Sequence, residues 1–261
     1  MITEVIQLMK KAGKEVMEVY VTDFKAEDKD GSPITEADRK SNDILIKGLT
    51  QFGFPILSEE SDDDSARLDS DKAWIIDPLD GTADFVNKTG EFSIMVGLVE
   101  NNVPILGIVY VPMLDVTYYA EKGKGAYKIE NGVTTEIKCS NVNLFEDFRA
   151  IVSRHHFSDE DKKFFEQLGI KEFKPKGSAG LKISDLAEGK GELYLTSTNK
   201  IKQWDTCAAY CIIKEAGGEM TDVKGNELVY NTENVYHENG ILVSNGQCHN
   251  EIVQKFKDFL N

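Results

Sequence analysis

Between residues 73 and 132 the chain carries four apolar stretches broken by turn residues, and any fold must accommodate them. They are "AWIID" (73–77), "FSIMVGLVE" (92–100), "PILGIVYVP" (104–112) and "VTYYAEKGKGAYKIENG" (116–132). Glu100-Asn101-Asn102 and Asn131-Gly132 are turn signals between them, so the pattern predicts an antiparallel meander. Such a sheet needs covering layers. Residues 2 to 20 supply one, with Ile2, Val5, Ile6, Met9, Ala12, Val16, Val19 and Tyr20 at helical spacing. Lys25 to Ser32 reads as a polar loop, and Ala37 to Leu49 as a second helix with Ile44, Leu45 and Leu49 on one face. "GFPILSEESDDD" (53–64) reads as a short strand running into an acidic loop.

After about residue 138 strands alternate with helices. "RAIVS" (149–153) precedes a helix with Ser158 as N-cap and Asp161 in its first turn. "TCAAYCIIKEAGG" (206–218) reads as a helix closed by Gly217-Gly218, "GILVSNG" (240–246) as a strand, and the tail as an amphipathic helix. The expected class is α/β. An α+β half, residues 1–138, and an α/β half, residues 139–261, form alternating helix and sheet layers around a common cleft, with no flexible linker.

The balance of 45 acidic against 30 basic residues, a formal charge of −15, argues against nucleic-acid binding. An anionic substrate would need a local positive centre, from lysines or a bound cation. No run approaches 18 apolar residues, so no membrane span is expected. The amino terminus lacks the basic and apolar regions of a signal peptide. Cys139, Cys207, Cys211 and Cys248 contain no CxxC pair. Cys207 and Cys211 could bind metal, but core packing and reduced thiols in a cytoplasmic protein are the simpler reading.

Acids cluster at the ends of apolar elements. In "WIIDPLDGT" (74–82) Asp77 ends a strand, and Asp80 follows on a turn set by Pro78. Glu59 and Glu60 follow "PIL", and Asp205 begins a helix after Trp204, where it would also serve as an N-cap. Converging carboxylates must be neutralised, and oxygen-only ligands suit Mg²⁺.

Together, "SPITEAD" (32–38), "ILSEES" (56–61), "WIIDPLDGT" (74–82) and "WDTCAA" (204–209) resemble the signature of the inositol monophosphatase superfamily, Mg²⁺-dependent, lithium-sensitive phosphatases. The resemblance implies a layered αβαβα sandwich of the sugar-phosphatase type, two or three Mg²⁺ ions, and inhibition by Li⁺. It implies that Glu59, which also counts among the catalytic groups, holds one ion with Asp77 and the carbonyl of Leu79. Asp77, Asp80 and Asp205 would hold another. Asp38 and Thr82 would orient and deprotonate the attacking water, and the amides around Gly81 and Thr82 would receive the phosphate.

"VSRHH" (152–156), "GSAGLK" (177–182) and "TNKIKQWDTCAA" (198–209) look most like the 3′(2′),5′-bisphosphate nucleotidase branch, which converts adenosine 3′,5′-bisphosphate to AMP and phosphate. The resemblance assigns Ser153 and His156 to the nucleotide, and Gly177, Ser178, Ala179 and Lys182 to its remaining phosphate, with Asp205 also in the substrate site. Lys200 and Lys202 would add to the field. Simple inositol monophosphatases are expected to carry a glutamate at the position of Thr198. Some relatives carry an arginine after position 154; this chain has none.

Three rival functions remain open. Inositol monophosphate, inositol 1,4-bisphosphate or fructose 1,6-bisphosphate could be the substrate. "DKDGSPITEAD" (28–38) superficially resembles a calcium loop, but with Gly31 at loop position six, Ala26 and Ala37 fall where carboxylates belong. A non-catalytic metal-binding regulator is the third. Partners are restricted to a small phosphate ester, with the chain a monomer or homodimer.

Overall fold

The structure is a computed structural model that describes residues 1–29 and 32–260. Helix α1 (Ile2–Tyr20) leads to the antiparallel strands β1 (Ala26–Lys29) and β2 (Ser32–Thr35), then to α2 (Glu36–Leu49). Next come β3 (Ile56–Ser58), β4 (Lys72–Asp80), α3 (Thr82–Val86), β5 (Ser93–Glu100), β6 (Val103–Val111), β7 (Val116–Glu121), β8 (Ala126–Glu130) and β9 (Val133–Ile137). The rest alternates: β10 (Arg149–Ser153), α4 (Asp159–Gln167), β11 (Glu172–Lys176), α5 (Ala179–Ala187), β12 (Leu193–Thr196), α6 (Cys207–Glu215), β13 (Glu219–Thr221), β14 (Ile241–Ser244) and α7 (His249–Leu260).

The expected meander is present. Strands β4 to β9 run antiparallel in sequence order, with β3 added parallel to β4 at one edge. Asn101 and Asn102, and Asn131 with Gly132, all take positive φ, as tight hairpin turns require. The second sheet has the order β11-β10-β12-β14-β13 and mixes parallel with antiparallel pairs.

Alternation along the strands sorts the core into layers. On β4, Trp74 and Ile76 pack under α1 and α2, while Ile75 faces the opposite way. That opposite face packs on α5 and α6, through Leu181, Ile183, Ala208 and Ile212, and these meet Ile151 and Val243 of the second sheet. The far side of that sheet, Ala150, Val152, Leu193 and Leu242, is covered by Phe164 and Phe165 of α4 and by Ile252 and Phe256 of α7. The result is the expected αβαβα sandwich. All four cysteines are free, and Cys207 and Cys211 lie in the middle layer as packing groups.

Helix α6 is pressed against the large sheet at two glycines that are register partners, Gly97 and Gly107. A Cβ on Gly107 would lie 1.9 Å from the Ala208 carbonyl oxygen, and one on Gly97 2.5 Å from Cys207 Sγ. The missing side chains therefore set the height of α6 above the sheet.

One local expectation needs correction. Within the segment read as a loop, Ala26–Lys29 is a strand and Ser32 begins another, because β1 pairs Ala26 with Thr35 and Lys29 with Ser32; this pairing rests on backbone bonds in a polar segment, which periodicity cannot reveal. Residues 30 and 31, including the glycine that anchored the calcium-loop alignment, lie outside the described residues. The glycine-rich stretch at 177–182 opens a helix, α5, whose Ser178 accepts the Leu181 amide at 3.1 Å as an N-cap.

Candidate active site

Asp77 and Asp80 both lie within β4, not on a turn beyond it. Pairing with β5 loses register between them: Asp77 faces Met95 and Asp80 faces Ser93. This local bulge re-aims the side chains. Pro78 offers no N–H to the ladder, and its carbonyl accepts the Ser41 hydroxyl at 2.7 Å. The Leu79 amide donates back to Asp77 Oδ1 at 2.9 Å. Both aspartates are buried, at 1% and 7% exposure. Gly81 then turns the chain at φ 91°, where a Cβ would also lie 2.9 Å from the Glu91 carbonyl oxygen, and α3 begins at Thr82.

Asp38 is placed by the start of α2. Thr35-Glu36-Ala37-Asp38 forms a capping box: the Thr35 hydroxyl accepts the Ala37 amide, and the Thr35 amide donates to Asp38 Oδ2 at 2.8 Å. The Thr35 hydroxyl also bonds Oδ2 at 2.6 Å, so Oδ1 faces Thr82, whose hydroxyl lies 3.1 Å away. The same hydroxyl is 3.0 Å from the Leu79 carbonyl. Burial pushes Asp38 up to about 6, against the Thr35 hydrogen bonds.

Glu59 follows β3, its amide donating to the Ile76 carbonyl at 3.3 Å, which ties it to β4. Asp205 does not cap α6. It closes a 3-10 turn, Gln203–Asp205, and accepts the Lys202 amide at 2.7 Å, while α6 begins at Cys207. The acids act on one another. Burial, then the charges of Asp205 and Glu60, push Glu59 up to about 8. Burial, then Glu59, Asp80 and Asp205, hold Asp77 well above the carboxylate range. Burial pushes Asp205 up to about 7, with Asp80 adding to the rise and the Lys202 amide and the Lys202 and Lys182 charges opposing it. The four acids, drawn from distant parts of the chain, thus form one cluster of interacting charges, with Asp77 and Asp80 buried and Glu59 and Asp205 half-buried.

Among the described residues, no three acid, histidine or cysteine side chains are drawn tightly enough together to hold an ion. Asp80 is engaged by hydrogen bonds of its own. Its Oδ1 accepts the Ala179 amide at 3.0 Å, and its Oδ2 accepts the Gly180 amide at 2.8 Å, the Ser93 hydroxyl at 3.1 Å and the Ser178 hydroxyl. The opening turn of α5 therefore holds Asp80 while the other acids repel.

The residues assigned to substrate lie around this centre. The Gly177 amide donates to Glu91 Oε2 at 2.7 Å. Lys182 is buried, its Nζ 3.3 Å from the Gly177 carbonyl; burial lowers its pKa while Asp80, Asp84 and Asp205 act to raise it. Ser153 Oγ accepts the His156 amide at 3.1 Å. Burial, then the charges of His155, Lys182 and Lys200, hold the His156 imidazole below its ordinary value. The Lys202 ammonium lies over the rings of Trp204 and Tyr236 at 5.0 and 5.7 Å.

Sequence reasoning missed the clamp beside these groups. Arg154 Nε and His155 Nε2 lie 3.2 and 3.1 Å from the two oxygens of buried Asp84, and Arg154 Nη2 donates to Glu91 Oε2 at 2.6 Å. Only the position of Asp84, two residues past Thr82, hinted at this.

A sequence model described as "Inositol monophosphatase family" matches residues 1–260. The chain is 34% identical over 251 residues to "3'(2'),5'-bisphosphate nucleotidase CysQ" of Salmonella typhimurium, covering 94% of this chain and 99% of that protein. It is also 34% identical over 256 residues to "Fructose-1,6-bisphosphatase/inositol-1-monophosphatase" of Thermotoga maritima, covering 95% and 93%. The crystal structure of CysQ from Bacteroides thetaiotaomicron superposes with a TM-score of 0.81 at 32% identity, covering 94% and 96% of the two chains.

Proposed function

The chain belongs to the inositol monophosphatase family and is a phosphatase, and from that premise we propose that it is a Mg²⁺-dependent 3′(2′),5′-bisphosphate nucleotidase releasing phosphate from adenosine 3′,5′-bisphosphate to leave AMP. The observation that carries the reading is the mutual repulsion of Glu59, Asp77, Asp80 and Asp205, two of them buried and two half-buried, beside the Asp38–Thr82 hydrogen bond. The near full-length likeness to the CysQ nucleotidases supports the choice of substrate.

The donor set fits a hard divalent cation, because every candidate ligand is a carboxylate or carbonyl oxygen and Glu59, Asp80 and Asp205 raise the proton affinity of Asp77. Glu59, Asp77, Asp80, Asp205 and the Leu79 carbonyl would hold the ions, which supply neutralising charge and a more acidic water. The protein's own part in the proton transfer falls to Asp38 and Thr82. Thr82 receives the proton of the attacking water as it passes its own to Asp38 Oδ1, the oxygen left facing it. Two hydrogen bonds from Thr35 fix the other oxygen, so the base cannot swing away. Lys182 supplies a buried cation for the second phosphate of a bisphosphate. Li⁺ is expected to inhibit, and the free cysteines suit a reducing compartment such as the cytoplasm. No helix among the described residues is long and apolar enough to cross a membrane.

The 34% identity to the Thermotoga protein supports a second reading, a sugar or inositol phosphatase. Phosphate release from adenosine 3′,5′-bisphosphate, inositol 1-phosphate, inositol 1,4-bisphosphate and fructose 1,6-bisphosphate, with Mg²⁺, decides between them. We expect the nucleotide to have the highest kcat/KM; faster turnover of inositol 1-phosphate would overturn the substrate assignment.

A further inference from the structure

Arg67 is the one arginine with no exposed surface among the described residues, and it lies in the 3-10 turn Ser65–Asp69, shortly after the Glu59 loop. Its guanidinium is used on several sides. Nε and Nη2 grip the two oxygens of Asp63 at 2.6 and 2.7 Å, a planar fork only arginine can present. Nη1 donates to Asn231 Oδ1 at 3.0 Å, and Nη2 also donates to the Thr232 carbonyl at 3.0 Å. Asn231 returns the contact, its Nδ2 donating to the Arg67 carbonyl at 2.9 Å.

From Asn231 the bonds continue towards the acids. The Asn231 amide donates to Gln203 Oε1 at 2.7 Å, and Gln203 Nε2 donates to Thr232 Oγ1 at 2.7 Å and to the Asn234 carbonyl at 3.0 Å. Gln203 is buried at 1% exposure and opens the turn that ends in Asp205. A continuous set of hydrogen bonds thus joins the segment after Glu59 to the turn carrying Asp205, across 164 positions of sequence between Arg67 and Asn231.

We propose that Arg67 is a positioning residue for the active site: acting through Asn231 and Gln203, it fixes the turn that carries Asp205 and so sets the affinity of the ion that acid holds. This rests on the metal-dependent reading above. A lysine at 67 keeps the charge but cannot reproduce the fork or reach Asn231 and Asp63 together. A glycine at 231 tolerates the backbone φ of 55° and removes only the reciprocal amide contacts.

The test is calorimetric titration of metal-stripped full-length protein with Mn²⁺, for the wild type, Arg67→Lys and Asn231→Gly. Alongside it run the Mg²⁺ dependence of phosphate release and thermal melting without metal. Partners that orient ligands typically change metal affinity by 10–100-fold. We expect Mn²⁺ binding roughly tenfold weaker in both variants and a Mg²⁺ activation midpoint displaced to match, while kcat at saturating Mg²⁺ stays close to wild type. If both variants bind Mn²⁺ as wild type does and differ only in melting temperature, the network is structural and the proposal is wrong. Should Arg67→Lys fail to fold, Asn231→Gly decides the matter by the same criterion. Wild-type protein with no saturable Mn²⁺ binding would overturn the metal-dependent reading itself, a result distinct from the other two.

Discussion

Asp77 illustrates how much depends on one side chain. It is buried at 1% exposure, and Glu59, Asp80 and Asp205 all raise the cost of its charge. Asp77→Asn keeps the shape and removes the charge. We expect turnover to fall at least roughly 100-fold, on the scale of losing one group that stabilises the transition state. Far-ultraviolet circular dichroism should be unchanged, and the melting temperature of metal-free protein should not fall, because folding does not favour the Asp77 charge. A drop in that melting temperature would show that Asp77 is a structural residue. Asp38→Asn should cost roughly 10²–10⁴ in kcat while leaving Mn²⁺ affinity, read by calorimetry, unchanged. At this scale the acids were legible because each adjoins an apolar run in the chain. The groups that hold them were not. Arg67 and Asn231, or Asp84 and Arg154, meet only after folding, and no spacing in the sequence links partners so far apart. The capping box at Thr35–Asp38 could have been read from its pattern, and it explains why the proposed base is an aspartate at the third position of a helix.

Among the elements, the meander was readable because asparagine and glycine mark its turns, whereas β1 and β2 were hidden in a polar segment. Helix α5 was not anticipated, although Ser178 before the apolar residues Leu181, Ile183 and Leu186 is a start signal. That helix start matters because its amides hold Asp80. The seat of α6 was invisible for a different reason: Gly97 and Gly107 look like weak strand residues until the helix backbone is seen against them. Gly107→Ala should therefore be costly. With the Ala208 carbonyl oxygen 1.9 Å from the new Cβ, α6 must move, and overpacking of this kind costs about 1–3 kcal/mol. Urea unfolding measures that loss. The Mg²⁺ activation midpoint should rise with it, because Asp205 stands just before α6. A variant with unaltered stability would mean that the helix is not tightly seated.

For the molecule as a whole, the buried acids make stability depend on pH and on cations. Folding raises Glu59 to about 8 and Asp205 to about 7, well above their values in an unfolded chain. Between the unfolded and folded values the native state binds more protons than the unfolded state, so stability falls as pH rises. Metal-free protein should therefore melt at progressively lower temperature from about pH 5 to about pH 8, and Mg²⁺ should flatten the trend by replacing the lost protons. Melting that becomes higher with pH in the presence of chelator would mean that these carboxylates are paired with cations of the protein. The net charge of −15 works in the same direction, since an anionic substrate meets a like-charged surface until cations are bound.

The most direct measurement is the anomalous scattering of crystals grown with Mn²⁺. The account predicts a pair of neighbouring peaks, with Asp77 touching both, Glu59 and the Leu79 carbonyl on one, and Asp80 and Asp205 on the other. Peaks confined to the surface, or a single ion held without Asp77, would contradict it.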